Sequence, residues 1–295
     1  MINNTLLLLV LIILVLFIYL FISNNNNNNI EKFTENKKIL VSNLIGGLGN
    51  RIYMILAGIG FAKKWNMDYY FLDSEIIDDS HSKNRTKMLN ELSTLFPDIN
   101  FLNKSIDTSS WKKINEGDIK NNMLIDNNII LSGYFQDEEK YFSNYKINLN
   151  KPKNNILKNI DTTNLFFIQF RFGDYIGTDY ELNLINYYKK CINKIKQQIN
   201  NPQFLVITNN INMSSNYIKG NNLFKDNEFF YDSSDDRLDT LYYISQCKGG
   251  ICSNSSFSRI GAYFIRDHNK NLIFYPNDIK RPMSLVTKWI TIIEL

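Results

Sequence analysis

The sequence predicts an α/β protein in which two Rossmann-type lobes face a central cleft, preceded by one N-terminal transmembrane helix. Three observations support this fold class. The chain opens with a long apolar run, and each of two later stretches shows a buried strand, a loop of small or polar residues, a helix and a further strand. That repeated order is typical of open parallel sheets, which bind ligands beyond the carboxyl ends of their strands.

Residues 5–22 form an apolar run without a charged residue. At about 1.5 Å per helical residue, the run nearly crosses a hydrocarbon core of roughly 30 Å. No basic residue precedes it, and it ends at Ser23 and an Asn tract rather than at a small-residue cleavage site. We therefore expect an uncleaved anchor over 5–22, with a tail at 1–4 and an Asn-rich stalk at 23–37.

The composition is that of a globular protein, with 44% hydrophobic, 14% aromatic and 21% charged residues and a formal net charge of +4. Basic residues are scattered among acidic ones, so we expect no nucleic-acid partner. The cysteines Cys191, Cys247 and Cys252, with only two histidines in the chain, fit neither a disulfide framework nor a zinc pattern. We therefore expect buried thiols and no metal site.

A stretch rich in Lys, Pro and Asn at 148–159 marks the expected boundary between the lobes. The first lobe is predicted at 38–150 and the second at 151–295. Apolar periodicity predicts strands at 38–44, 69–72, 129–131, 165–170, 203–208, 250–253 and 272–275, and helices at 51–65, 87–96, 186–198, 237–246 and 258–266.

The motif GGLGN lies directly between the first predicted strand and helix. Glycines at such a position let backbone amides approach a phosphate or a sugar, and the helix start carries partial positive charge. The motif is not a full dinucleotide fingerprint, because Ile52 stands where its third glycine would be. A tight turn without a ligand is the alternative. The candidate substrate contacts are Gly46, Gly47, Gly49, Asn50 and Arg51.

The loop after the strand at 165–170 contains Arg171 and Asp174, within the sequence IQFRFGDY. A guanidinium suits a leaving diphosphate, because it hydrogen-bonds two oxygens at once and stays charged at any working pH. Asp174 is the candidate catalytic base. The alternative is a surface ion pair between the two side chains, in which Asp174 only orients Arg171.

The segment CSNSSFSRIGAYF at 252–264 places small hydroxyl residues between a strand and a helix. Such residues cap a helix, and they also direct hydroxyls and amides at a phosphate, so the motif alone does not decide between the two roles. The candidate substrate contacts here are Asn254, Ser255, Ser256, Phe257, Ser258 and Arg259.

The order and spacing of these motifs resemble glycosyltransferase family 11, the α1,2-fucosyltransferases. The likeness extends from residue 39 to residue 279 and includes further matched pieces. These are GYFQDEEKYF at 133–142, the arginine loop ending in GDY at 171–175, Tyr187 and Tyr188, the helix from Asp239 to Cys247, and NSSFS at 254–258.

The resemblance implies a GT-B-like fold with the donor bound mainly by the second lobe. It also implies inverting transfer of L-fucose from GDP-fucose to a hydroxyl of an oligosaccharide or glycoconjugate, a galactoside in α1,2 linkage, without an obligatory metal or cofactor. Arg171 would then hold the pyrophosphate with help from Ser255 and Ser256. Asp239 would face the guanosine, and Asn50 and Arg51 would close the site from the acceptor side.

Three positions depart from the family pattern. Gln169, itself a candidate substrate contact, and Phe172 replace a His and the second of two arginines, and Arg259 stands where Trp is common, where it would reach the phosphates instead. A catalytically impaired nucleotide- or glycan-binding descendant, or a related GDP-sugar transferase, is therefore the alternative. A metal-dependent single-lobed transferase would need Asp-x-Asp after a strand, whereas Asp235 and its acidic neighbours lie in a loop before a helix.

Two interpretations of the membrane orientation stay open. Basic residues follow the predicted span and none precedes it, so the positive-inside rule favours a cytoplasmic body. The family resemblance instead implies a single-pass type II protein with a lumenal body in a Golgi- or ER-type compartment.

Overall fold

The computed structural model describes residues 37–72, 84–102, 106–120, 123–173, 175–267, 271–277 and 288–295. The predicted tail at 1–4, the anchor at 5–22 and the stalk up to residue 36 lie outside these residues. Within them, no helix combines the length and apolar character needed to cross a bilayer. Residues 39–295 form a single compact unit that contains two parallel sheets. We refer to each sheet with the helices that follow its strands as a lobe.

The first sheet has four parallel strands in the order β2-β1-β4-β3. Every residue of its central strand β1 is buried, as is typical of a parallel strand covered on both faces. The elements of this lobe are β1 (Ile39–Ser42), α1 (Leu48–Trp65), β2 (Asp68–Tyr70), α2 (Arg85–Leu95), β3 (Lys112–Asn115), β4 (Ile129–Ser132) and α3 (Glu138–Tyr141).

The second sheet has six parallel strands, β5 to β10, in the order β10-β9-β8-β5-β6-β7. Read from β7, this is the 3-2-1-4-5-6 order of dinucleotide-binding folds, whose ligands bind where the order reverses, here between β5 and β8. The elements are β5 (Leu165–Phe170), α4 (Ile185–Gln198), β6 (Gln203–Thr208), α5 (Ile211–Gly220), β7 (Phe229–Tyr231), α6 (Arg237–Gln246), β8 (Gly249–Ile251), α7 (Ser256–Tyr263), β9 (Ile273–Asn277) and β10 (Thr291–Glu294).

The α/β prediction with parallel sheets is confirmed, and every predicted strand and helix is present. The strands at 165–170 and 203–208 and the helix at 237–246 have the predicted ends, and the ends of the other elements are shifted. The helix predicted at 51–65 begins at Leu48, because Gly46 takes a positive φ of 75° and turns the chain into the helix early. The helix predicted at 258–266 spans Ser256–Tyr263. The sequence pattern did not predict β3, β7, β10, α3 and α5, which are short or mostly polar.

The two lobes pack through the first turns of α1 and α7. A Cβ added to Gly49 would lie 2.6 Å from the backbone nitrogen of Phe257 and 2.8 Å from the carbonyl carbon of Ser256. Leu241 and Ile260 of the second lobe pack in the same hydrophobic core cluster as the buried residues of the first lobe. The apolar core therefore continues from one lobe into the other.

Helix α1 also lies close to its own sheet. A Cβ on Gly58 would lie 2.7 Å from Cζ of Tyr69 and 2.8 Å from Oγ of Ser42. The Tyr69 hydroxyl donates to that Ser42 oxygen at 3.1 Å, so neither side chain can yield without losing this hydrogen bond.

We predict that Gly58→Ala lowers the free energy of unfolding by about 1–3 kcal/mol, since an added methyl group overpacks the space between helix and sheet. Urea denaturation measures this change. Gly220→Ala at the end of α5 is the control, because nothing lies within 4 Å of its added Cβ. Equal effects of the two substitutions would contradict the close packing of α1.

Candidate active site

A cleft of about 470 Å³ lies between the lobes at the carboxyl ends of the strands. Residues after β1, after β5 and β6, before and within α6, and at the start of α7 line it. The GGLGN turn, the Arg171 loop and the NSSF turn, which are far apart in the sequence, therefore meet at one place. We refer to this space as the inter-lobe cleft.

The first-lobe wall of the inter-lobe cleft is the start of α1, where Gly47, Leu48, Gly49 and Asn50 line the space. No side chain caps this helix start. Amide groups of a first helical turn lack intrahelical partners and favour an anion. Gln136, from the GYFQ motif, donates its side-chain amide to Oδ1 of Asn50 at 2.9 Å and so positions that side chain.

Two residues of the GGLGN region support this wall without lining it. Arg51 is 1% exposed, and its Nε donates to the carbonyl of Gly46 at 2.7 Å. The structure thus places Arg51 behind the glycine turn, where it holds the turn's shape, and not at the surface of the cleft, where a substrate contact was predicted.

Arg171 lines the cleft directly after the last residue of β5. Asn209, after β6, binds both backbone groups of Phe172, the residue that follows Arg171. Its Oδ1 accepts from the amide of Phe172 at 2.9 Å, and its Nδ2 donates to the carbonyl of Phe172 at 2.6 Å. The Arg171 guanidinium carbon lies 5.2 Å from the ring centre of Tyr175. Asp174 lies outside the described residues, and its role as catalytic base stays a prediction.

The two departures from the family pattern near Arg171, Gln169 in β5 and Phe172 after it, have separate structural roles. Gln169 is 4% exposed and accepts from the Ser253 hydroxyl at 2.7 Å, a bond that joins β5 to the loop after β8 where the strand order reverses. Gln169 also lines the cleft. Phe172 stacks on Phe170 and meets the Tyr217 ring edge-on, with centroids 5.5 Å apart. Position 172 therefore contributes to an aromatic cluster.

Residues of the NSSF turn have two roles, which are to cap α7 and to line the cavities. Ser255 caps α7 by accepting from the Phe257 amide at 3.3 Å, and the buried Ser258 hydroxyl donates to the Ser255 carbonyl at 3.1 Å. Ser255, Ser256 and Phe257 line the inter-lobe cleft, whereas Asn254 faces a neighbouring cavity and donates to the carbonyl of Tyr180 at 2.9 Å.

Arg259 does not reach the cleft, contrary to the predicted phosphate contact. It is 2% exposed and donates to Glu138 at 2.8 Å. The second oxygen of Glu138 accepts from the Tyr53 hydroxyl at 2.5 Å. Burial, with the Glu138 charge nearby, raises the pKa of Tyr53 well above its usual range, so the phenol remains a donor. The buried Glu138 carboxylate thus binds the Arg259 guanidinium, which was expected to contact the phosphates.

A second ion pair also crosses between the lobes. Arg237, at the start of α6, donates through two nitrogens to both oxygens of Glu91 on α2, with the Nε–Oε1 distance at 3.0 Å. Sequence analysis missed this pair and the pair of Arg259 with Glu138. Partners 146 and 121 residues apart leave no local pattern in a single sequence.

The far end of the cleft is lined by Ser234, Asp235 and Asp236. Asp239, the predicted guanosine contact, does not line the cleft, and its carboxylate accepts from the Ser234 hydroxyl at 3.2 Å. Burial raises the pKa of the nearby Asp232 carboxyl. In the part of the chain that the structure describes, no three His, Cys, Asp or Glu side chains group as a metal site.

The inter-lobe cleft is therefore lined in one part by Arg171 and the starts of α1 and α7, and in another by Asp235, Asp236 and Arg237 around the start of α6. Such an arrangement suits a ligand with an anionic group at one point and N–H donors at another.

We predict that Glu138→Gln lowers the free energy of unfolding by about 3–5 kcal/mol, because it leaves the Arg259 guanidinium buried without its counter-charge. Chemical denaturation measures the loss. Glu228→Gln is the matched control, since the pair of Lys196 and Glu228 is 32% and 21% exposed and contributes about 1 kcal/mol or less. A loss at position 138 no larger than at 228 would contradict the structural role of the buried pair.

Solved structures with a similar fold include two of NodZ. A selenomethionine form of fucosyltransferase NodZ from Bradyrhizobium has a TM-score of 0.52 and 12% identity, covering 84% of this chain and 97% of that chain. A NodZ α-1,6-fucosyltransferase soaked with GDP-fucose has a TM-score of 0.50 and 9% identity, covering 78% of this chain and 93% of that one. At such identities the likeness shows the fold alone.

No match was found among curated protein sequences. The family model described as "Glycosyl transferase family 11" matches residues 83–280, which is more than half of the chain. The matched range includes the Arg171 loop, the acidic loop before α6 and the NSSF turn. The chain belongs to glycosyl transferase family 11.

Proposed function

We propose that this glycosyltransferase moves L-fucose from GDP-fucose to a hydroxyl of a glycan acceptor. The observation that carries the proposal is the meeting of Arg171 with the starts of α1 and α7 in the inter-lobe cleft. A guanidinium and two helix starts supply the positive potential that a departing diphosphate needs. The NodZ structure soaked with GDP-fucose supports the choice of donor.

In the proposed reaction, the bond between fucose C1 and the β-phosphate oxygen breaks and its electron pair leaves on GDP. The acceptor oxygen forms the new bond to C1 with inversion, and its proton passes to a base, for which Asp174 stays the candidate. Arg171 neutralises the charge that develops on the leaving group. The two-lobed architecture would then be GT-B-like, with the nucleotide mainly on the second lobe.

The guanosine would lie toward the acidic end of the cleft. Guanine presents N–H donors on its Watson–Crick edge, and Asp235 and Asp236 line this end, where one oxygen of Asp236 caps α6 by accepting from the Leu238 amide. Asp239 would act through Ser234.

The finer assignments rest on the family resemblance. We propose a galactoside as acceptor and an α1,2 linkage, although the NodZ neighbour is an α-1,6 enzyme. We also propose a single-pass type II protein with a lumenal body, anchored through the apolar residues 5–22. Gln169 and Phe172 favour the second candidate, a descendant that binds GDP-sugars with impaired turnover.

We predict that Arg171→Ala weakens GDP binding about 10- to 100-fold, because it removes charged hydrogen bonds to the diphosphate. It should lower kcat/KM for GDP-fucose by about 100-fold or more. Ligand-dependent thermal shift with GDP, GDP-fucose, GDP-mannose and UDP-sugars measures binding, and release of GDP measures turnover.

Arg266→Ala on the surface is the matched control and should change neither quantity. Tight GDP binding by the wild type without turnover would favour the impaired descendant. A folded wild type with no affinity for GDP or GDP-fucose would refute the proposed donor.

We further predict that EDTA leaves the turnover of GDP-fucose unchanged, because Arg171 and the helix starts already neutralise the diphosphate. Assays with EDTA, and with Mg²⁺ or Mn²⁺ added back, test this. Activity that EDTA abolishes and Mn²⁺ restores would show that a metal carries the charge instead.

A further inference from the structure

A second cavity of about 620 Å³ lies beside the inter-lobe cleft, within the second lobe. We refer to it as the side cavity. Arg171 and Tyr175 line both spaces, so the two cavities share a wall. Its volume falls within the roughly 300–1,000 Å³ of small-molecule sites. The proposed donor does not account for it, since the helix starts that favour a diphosphate, those of α1 and α7, lie in the inter-lobe cleft.

The lining of the side cavity combines flat apolar surfaces with hydrogen-bonding groups. Pyranose rings offer one face of C–H groups, which packs against aromatic rings, and a rim of hydroxyls, which needs polar partners. The lining residues that matter here are the aromatic Tyr175, Tyr180 and Tyr217 and the polar Thr178, Asn183 and Asn254.

Apolar side chains are exposed at the mouth of the side cavity. Tyr180 is 50% exposed, Ile176 46% and Met213 36%. The rings of Tyr175 and Tyr180 lie 5.3 Å apart and are tilted by 33°, so they form an aromatic lip beside Arg171. Exposed apolar groups gathered at a cavity mouth are typical of a binding site.

The loop that forms this lip is held in place by its own hydrogen bonds. The amide of Gly177 donates to Glu181 at 2.7 Å, and the hydroxyl of Thr178 donates to the carbonyl of Tyr175 at 2.7 Å. Asn254 of the NSSF turn donates to the carbonyl of Tyr180 at 2.9 Å. A loop fixed in this way binds a ligand with little ordering cost.

We propose that the side cavity binds the acceptor glycan, with its accepting sugar packed on the lip of Tyr175 and Tyr180. The inference rests on the proposed function. With the β-phosphate at Arg171, the anomeric carbon lies next to Arg171, and the attacking hydroxyl must lie within reach of that carbon. The side cavity begins at this residue. The acceptor would therefore lie on the second lobe. The family resemblance had instead implied the first lobe, at Asn50 and Arg51.

The test uses the full chain and the glycan that the wild type modifies best on an array of galactose-, glucose- and N-acetylglucosamine-terminated glycans. Tyr180→Ala should raise the KM for this glycan about tenfold, because it removes half of the aromatic lip. The KM for GDP-fucose and the Kd for GDP should change by less than about twofold. Phe101→Ala, at another exposed aromatic residue in the first lobe, is the matched control and should leave the glycan KM unchanged.

A second variant changes the side cavity at α5 and not at the lip loop. Met213→Trp on α5 places an indole into the space, and we expect it to raise the glycan KM at least as much as Tyr180→Ala. Because Met213 is partly exposed at the surface of its helix, this change does not depend on the packing of the lip loop.

Two outcomes would overturn the acceptor assignment while leaving the proposed function intact. They are an unchanged glycan KM in both variants, and a higher KM for GDP-fucose with unchanged GDP affinity, which would place the fucosyl group in the cavity. A wild type that does not bind GDP, or that hydrolyses GDP-fucose without transfer to any glycan, would instead overturn the proposed function, and the acceptor assignment with it.

Discussion

The contact between the first turns of α1 and α7 sets the geometry on which the candidate site depends. Because Gly49 has no side chain, the backbone of α1 reaches the backbone at Phe257, and two helix starts face one cleft. The pair of Arg259 with Glu138, joined by Tyr53, fixes this contact from within the core. Buried ion pairs of this kind add little net stability, and here we infer that they specify one relation between the lobes.

The distribution of arginines follows from that arrangement. Arg259 and Arg237 each bind a glutamate of the opposite lobe, and Arg51 holds the glycine turn. Arg171 lines both cavities. The positive charge along the inter-lobe cleft therefore comes from Arg171, from Arg237, which is also bound to Glu91, and from the backbone amides of the helix starts.

Sequence reasoning predicted the parts of this protein that depend on local pattern. The buried strands at 165–170 and 203–208 were found because four or more consecutive apolar residues leave few other structures. The order of the motifs along the chain predicted that the GGLGN turn, Arg171 and the NSSF turn meet in one cleft. The role of Arg259 was not predictable, because it depends on Glu138, 121 residues away. The side cavity depends on how a loop, α4 and α5 meet, which periodicity does not encode.

The environment of Phe172 limits how this site could be redesigned. Its ring lies among Phe170 and Tyr217, and its backbone is held by Asn209. An arginine installed there would begin among aromatic rings, in the wall of the side cavity, and would disturb that packing before approaching a phosphate. A second arginine in this loop would therefore need compensating substitutions among the surrounding aromatic residues.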